Sequence, residues 1–153
     1  TAAAAGCQLV ASCDLAFADD NATFATPGVN IGLFCSTPMV AVSRKINRKK
    51  MMEMLLLGDK IDSKTAVEHG LINRRVPGKF LNEAVSEVAN KIASKSPLTL
   101  KIGKEAFYKQ LEMPLSEAYE YTSKVMIRNM QARDAEEGIS AFIEKRLPVW
   151  TGK

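Results

Sequence analysis

The sequence predicts an α/β arrangement followed by a purely helical half, and three observations carry that prediction. Short apolar stretches alternate with turn signals over residues 1–76. A helical period with helix-start residues runs from Lys79 onward, and no Gly/Ser/Pro-rich linker separates the two parts. At 153 residues the chain has the length of one domain and can bury a proper core.

Taken in order, Ala4 to Ser12 is a run of small residues that reads as a helix opened by a tight turn. Small side chains let a ligand approach the backbone, and a helix start offers unpaired N–H groups. Residues 14–18 alternate as a short strand, and Asp19-Asp20-Asn21 makes a turn. A second strand over 22–26 is broken by Pro27-Gly28. Val29 to Phe34 then reads as an apolar loop or strand, and 37–43 as a helix. Arg44 to Lys50 holds five cations, and Asn47 is placed to cap a helix over 49–57 that Gly58 ends. Ser63 reads as the cap of a short helix over 64–69, closed by Gly70, and 71–76 as a strand stopped by Pro77. Beyond it, Leu81, Ala84, Val85, Val88 and Ile92 form an i, i+3, i+4 stripe. Pro97 starts a second helix, Pro114-Leu115-Ser116 a third, and Asp134 reads as the cap of a fourth over 135–144. The tail Arg146 to Trp150 reads as extended.

Composition excludes several classes. Hydrophobic residues are 46% and charged residues 25%, as in ordinary globular chains, and no apolar run approaches the ~20 residues of a membrane span. Cys7, Cys13 and Cys35 have no metal-type spacing and read as buried reduced thiols. His69 is the only histidine, which argues against His-based zinc or Ser–His chemistry, and its place in a helix's last turn suits the dipole. No metal is expected. The net charge of +4 suits an anionic ligand without requiring one. The chain opens at Thr1 with no signal-like segment, so it reads as a fragment or processed product.

Four stretches together resemble the crotonase superfamily, the enoyl-CoA hydratase/isomerase family. They are Ala5-Gly6-Cys7-Gln8-Leu9 with Cys13-Asp14; Phe24-Ala25-Thr26-Pro27-Gly28-Val29; Met54, Gly58, Ile61, Ala66 and Gly70-Leu71-Ile72; and Glu137-Gly138, Ala141-Phe142, Glu144-Lys145-Arg146 and Pro148. They run from end to end in the family's order. The resemblance implies the C-terminal part of a ββα spiral, residues 1–76, carrying half of an acyl-CoA pocket. Residues 77–153 would be a helical domain driving assembly to a homotrimer or hexamer. It also implies a mitochondrial location, a role in fatty-acid metabolism, and an acyl-CoA thioester as ligand or substrate with no other cofactor. The front of the spiral, with the first oxyanion donor, would be missing here.

Chemistry of this class develops negative charge on the thioester oxygen, and loss of one backbone donor typically costs ~10²–10³ in rate. By the resemblance the donor in this half is the N–H of Ala5, where the family usually has glycine. The family's two acid/base glutamates match Gln8 and Gly28. An amide cannot act as a base near neutral pH, and glycine can neither give nor take a proton. The resemblance assigns Gly6, Pro27, Ser36 and Lys145 to substrate or CoA contacts, Lys145 through a phosphate. The expectation is an acyl-CoA-binding family member, lyase or isomerase in class if active, with weak, altered or absent hydration. Two other classes compete: a non-enzymatic assembly or regulatory protein using the helical half, and RNA binding through Arg44 to Lys50. The RNA reading is weakened by the lack of interleaved aromatic residues.

Overall fold

The computed structural model describes all residues, Thr1–Lys153, in two compact units, Thr1–Glu87 and Val88–Lys153. The first unit contains five short strands, β1 (Ala2–Ala3), β2 (Phe17–Asp19), β3 (Thr23–Ala25), β4 (Ile61–Asp62) and β5 (Arg74–Val76). Its helices are α1 (Ala5–Ser12), α2 (Ser36–Val42), α3 (Arg48–Leu57) and α4 (Ser63–Glu68). One sheet has the order β1-β3-β4, with β1 parallel and β4 antiparallel to β3; β2 and β5 pair in parallel as a second. The parallel register of Ala3 on Ala25 brings the ends of β1 and β3 to one edge, where α1 and the segment after Ala25 both begin.

Local chemistry explains the helix ends. The Asn47 side chain accepts from Lys50 N–H and caps α3, as its position predicts, and Asn47 Nδ2 also contacts His69 Nδ1 at 2.7 Å. That contact makes His69 a structural bridge. Gly58 ends α3 with φ 68°, and a Cβ there would also strike Asn30 and Val29. The cap of α4 is Asp62, which accepts from Thr65 N–H, and not Ser63. Ser63 is fully buried instead, with its hydroxyl donating to the Asp20 carbonyl at 2.6 Å. Val29 to Phe34 is neither strand nor open loop at its start, because Pro27–Ile31 closes a 3₁₀ turn.

The core of this unit joins Cys7 and Ala11 of α1, Phe24 of β3, Val42 of α2, and Met51 and Met54 of α3. Cys7 and Cys35 are buried as the sequence predicts, whereas Cys13 is exposed.

The helix α5 (Leu81–Ala93) crosses the boundary of the units; α6 (Pro97–Gln110), α7 (Leu115–Met130) and α8 (Arg133–Ile143) complete the second. The predicted stripe on α5 forms, yet none of its residues is buried. Asp134 is not the cap of α8. It lies inside the first turn, 2% exposed, where Oδ2 accepts from Ser96 and Oδ1 from the Thr151 backbone and hydroxyl. Ser96 in turn caps α6 through Thr99 N–H. One carboxylate therefore ties the start of α6 and the C-terminal tail to α8. No helix is long and apolar enough to cross a membrane.

Candidate active site

Ala4 follows β1 and caps α1 with φ 46° and ψ −113°. That conformation favours glycine, and a side chain there stores of order 1–3 kcal/mol. The Ala4 N–H donates to the Ala25 carbonyl at 3.0 Å, which holds the residue on β3. The strained ψ turns the next peptide, so the exposed Ala5 opens α1 with an N–H that has no intrahelical partner. Gly6 follows. A Cβ there would meet only Ala2 Cβ, at 3.9 Å, so contacts within the chain do not require the glycine.

Gln8 is half-buried one turn into α1. Its backbone N–H closes on the Ala4 carbonyl and its carbonyl accepts from the Ser12 hydroxyl. Its side-chain amide makes no hydrogen bond within the chain. The site therefore holds a neutral donor and acceptor where proton transfer would need an ionisable group.

Pro27 begins the 3₁₀ turn that leaves β3, and Gly28 follows it. The Gly28 N–H donates to Cys35 Sγ at 3.3 Å. A Cβ on residue 28 would lie 2.8 Å from the Leu33 carbonyl oxygen and 3.0 Å from Cys35 Sγ. Space, and not backbone conformation, demands the glycine. Cys35 has φ −73° and ψ 60° with Ser36 N–H on the Phe34 carbonyl at 2.7 Å, an inverse γ-turn that folds the segment back over Gly28. Burial pushes the nearby Cys7 thiol up to about 11, partly offset by a hydrogen bond that its sulfur accepts from the Ala25 backbone. A thiol so protonated is a packing group and not a nucleophile.

The start of α1 and the Pro27-Gly28 turn thus meet at the edge where β1 and β3 end, which places Ala5, Gly6, Gln8, Pro27 and Gly28 on neighbouring segments. Ser36 is exposed at the first residue of α2, with its hydroxyl on the Phe34 carbonyl. Lys145 belongs to the second unit and is exposed. It has φ 57°, with its N–H on the Phe142 carbonyl and Arg146 N–H on the Ala141 carbonyl. That is a helix-ending motif whose left-handed position normally takes glycine.

Asp19 accepts from the Asn21 backbone and amide, and Asp20 pairs with Arg75, so both are structural. Two features escape sequence reading. The strain at Ala4 is invisible because alanine suits a helix start in general. Thr26 is fully buried beside the turn, with a hydroxyl that has no partner, and no spacing signals it.

A family model described as enoyl-CoA hydratase/isomerase matches residues 1–153. Enoyl-CoA hydratase domain-containing protein 3, mitochondrial, of Rattus norvegicus is 53% identical over 150 residues, covering 98% of this chain and 50% of the relative. The crystal structure of the human protein of that name superposes with a TM-score of 0.95 at 53% identity, over 97% of this chain and 59% of that one. An enoyl-CoA hydratase of Mycobacterium smegmatis gives 0.96 at 46% identity, over 97% of this chain and 58% of that one. These likenesses make the fold a crotonase-like α/β fold, here mostly helical with eight α-helices. The chain spans about half the length of the curated relatives it matches.

Proposed function

Because this chain belongs to the enoyl-CoA hydratase/isomerase family, we propose that its α1 site binds the thioester of an acyl-CoA through the Ala5 N–H but hydrates it weakly or not at all. The observation that carries this reading is the turn at Gly28, where a Cβ would lie 2.8 Å from the Leu33 carbonyl oxygen. No carboxylate is accommodated there while residues 33–35 keep their fold. Gln8 adds an amide that can orient a carbonyl or water but cannot take its proton. The donor at the helix start favours negative charge on a thioester oxygen, and proton transfer is the missing half of the reaction.

Gly6 leaves the backbone open to close approach, and Pro27 and Ser36 border the same segments. Lys145 supplies a point charge for a CoA phosphate. Its left-handed backbone supports that role, since glycine would meet the local geometry at lower cost. Residues 77–153 act as the oligomerisation part, towards a homotrimer or hexamer. Support comes from the exposed apolar side chains of α7 and α8, among them Leu115, Met130 and Phe142. A mitochondrial location accords with the names of relatives, and a role in fatty-acid metabolism accords with an acyl-CoA ligand.

The test is hydration of crotonyl-CoA by the full-length protein, with binding followed in parallel by calorimetry. Micromolar CoA-ester affinity with kcat below ~10 s⁻¹ is expected, and turnover at ordinary hydratase rates would overturn the reading. Those same exposed apolar faces favour one second reading, a non-enzymatic assembly protein of lipid metabolism. Under it, the calorimeter would register no CoA-ester binding.

A further inference from the structure

The basic run from Arg44 to Lys50 has no part in the proposed acyl-CoA site, yet the fold sets it beside an apolar groove. The groove lies between α2 and α3 with a volume of about 380 Å³. Met51 and Leu55, both 3% exposed, form its floor, while Met39, Val40 and Met52 rise along its sides. Ser43, Arg44 and Arg48 complete it at the end where α2 turns into α3, a turn anchored by the buried Ile46. It is therefore apolar along its length and cationic at one end.

The charges at that end are poorly compensated within the chain. Arg44 spends one guanidinium nitrogen on the Val40 carbonyl at 2.8 Å, which holds the head over the groove and leaves further N–H donors unused. Arg48 and Lys49 have no carboxylate partner; Lys50 alone pairs, with Glu53 at 2.7 Å. The first turn of α3 contains no acidic residue, so three cations sit on the positive end of a helix dipole. An anion bound there relieves both the cation crowding and the dipole. Guanidinium groups suit carboxylate and phosphate because their N–H pairs match two oxygens at once. The methionine sides suit an unbranched chain, since thioethers adapt to irregular apolar shapes.

We infer that the groove between α2 and α3 binds one amphiphilic anion, a single aliphatic chain ending in a carboxylate or phosphate, with the head at Arg44 and Arg48 and the chain along Met39, Val40 and Met52. The occupant is a monomeric amphiphile and not a bilayer, because the groove is concave and its cationic groups lie at one end. This site is separate from the α1 site and does not depend on its chemistry.

The experiment is calorimetric titration of the full chain with dodecyl phosphate below its micelle concentration. Saturable binding of one equivalent is expected. Inorganic phosphate and a neutral glycoside with the same chain should each bind about tenfold more weakly or worse, since each supplies half of the recognition. The double substitution Arg44→Gln with Arg48→Gln, and separately Met52→Glu at a half-exposed position, should each weaken dodecyl phosphate by about tenfold or more. Met52→Leu and Lys145→Gly should leave it unchanged, and circular dichroism verifies that each variant is folded. Several results would overturn the inference: unaltered affinity in the arginine pair, equal affinity for the neutral glycoside, or binding to anionic vesicles alone. Loss of dodecyl phosphate on Lys145→Gly would move the ligand to the acyl-CoA site. Displacement of the probe by a short oligoribonucleotide, insensitive to Met52→Glu, would assign the cations to RNA instead.

Discussion

Residues Thr1–Glu87 and Val88–Lys153 are held together by different physics. The first unit closes an apolar core in which Cys7, Val42 and Met54 are at most 1% exposed. The second buries chiefly alanines, Ala106, Ala118 and Ala141, and relies on the carboxylate of Asp134 to join α6, α8 and the tail. Many of its large apolar side chains face outward, with Leu115 75% and Phe142 85% exposed. A unit with an apolar core loses stability when methylenes are removed. A unit clamped by a carboxylate loses it when protons are added. The candidate residues divide in the same way: the strained Ala4 and the Ala5 N–H lie in the apolar unit, and Lys145 lies in the clamped one.

The largest expected effect tests the apolar core. Met54→Ala should destabilise the chain by about 2–5 kcal/mol in chemical denaturation, as for other large-to-small core changes. Trp150 is the only tryptophan and lies in the second unit, with its indole N–H on the Ser94 carbonyl. If its fluorescence transition shifts with Met54→Ala as far as the backbone signal does, the two units unfold together and the contrast is one of chemistry alone. Next comes Gly28→Ala, expected to cost about 1–3 kcal/mol because the added methyl meets the Leu33 carbonyl oxygen. A neutral result there, again by denaturation, would show that the 28–35 segment is soft, and would reopen the turn to a carboxylate.

Acid should act on the second unit first. A hydrogen bond from the Ser96 hydroxyl, with others from Thr151 and Gly152, holds the Asp134 carboxyl down to about 2, and Arg146 does the same for Glu137, also at about 2. Their usual values are 3.8 and 4.5, so the folded state binds protons less readily than the unfolded one. The stabilisation is therefore complete above about pH 5 and is lost as pH falls towards 2. Trp150 fluorescence should follow that loss, and Asp134→Asn should remove part of it while lowering Tm by roughly 5 °C. An unaltered acid transition in Asp134→Asn would remove the clamp from the explanation. The smallest effect has two opposite signs. Lys145→Gly should raise stability by up to about 1 kcal/mol by relieving the left-handed backbone, while weakening CoA esters in calorimetry. If both quantities move down together, the lysine is structural.

Much of the fold was legible because its signals are local. Asn47 caps α3, Pro97 opens α6 and Gly58 closes α3, since each depends on the residue's own hydrogen-bonding or φ preference. The errors arose where a local rule met a distant partner. Ser63 looks like a cap but is drawn inward to the Asp20 carbonyl, and Asp134 looks like a cap but is taken by Ser96 and Thr151. The α5 stripe has the period of a buried face, and periodicity alone cannot say whether this chain supplies the surface that covers it.

What the sequence alone determined is the order of the eight helices, though not strands β1 and β4, the family pattern, and the absence of ionisable groups at positions 8 and 28, because residue identity settles whether a proton can be held. Only the tertiary structure decided why position 28 is glycine, why Ala4 is strained, and that Arg44 and Arg48 end one apolar groove. Each of these depends on distances between segments brought together by packing, and no spacing along the chain encodes them.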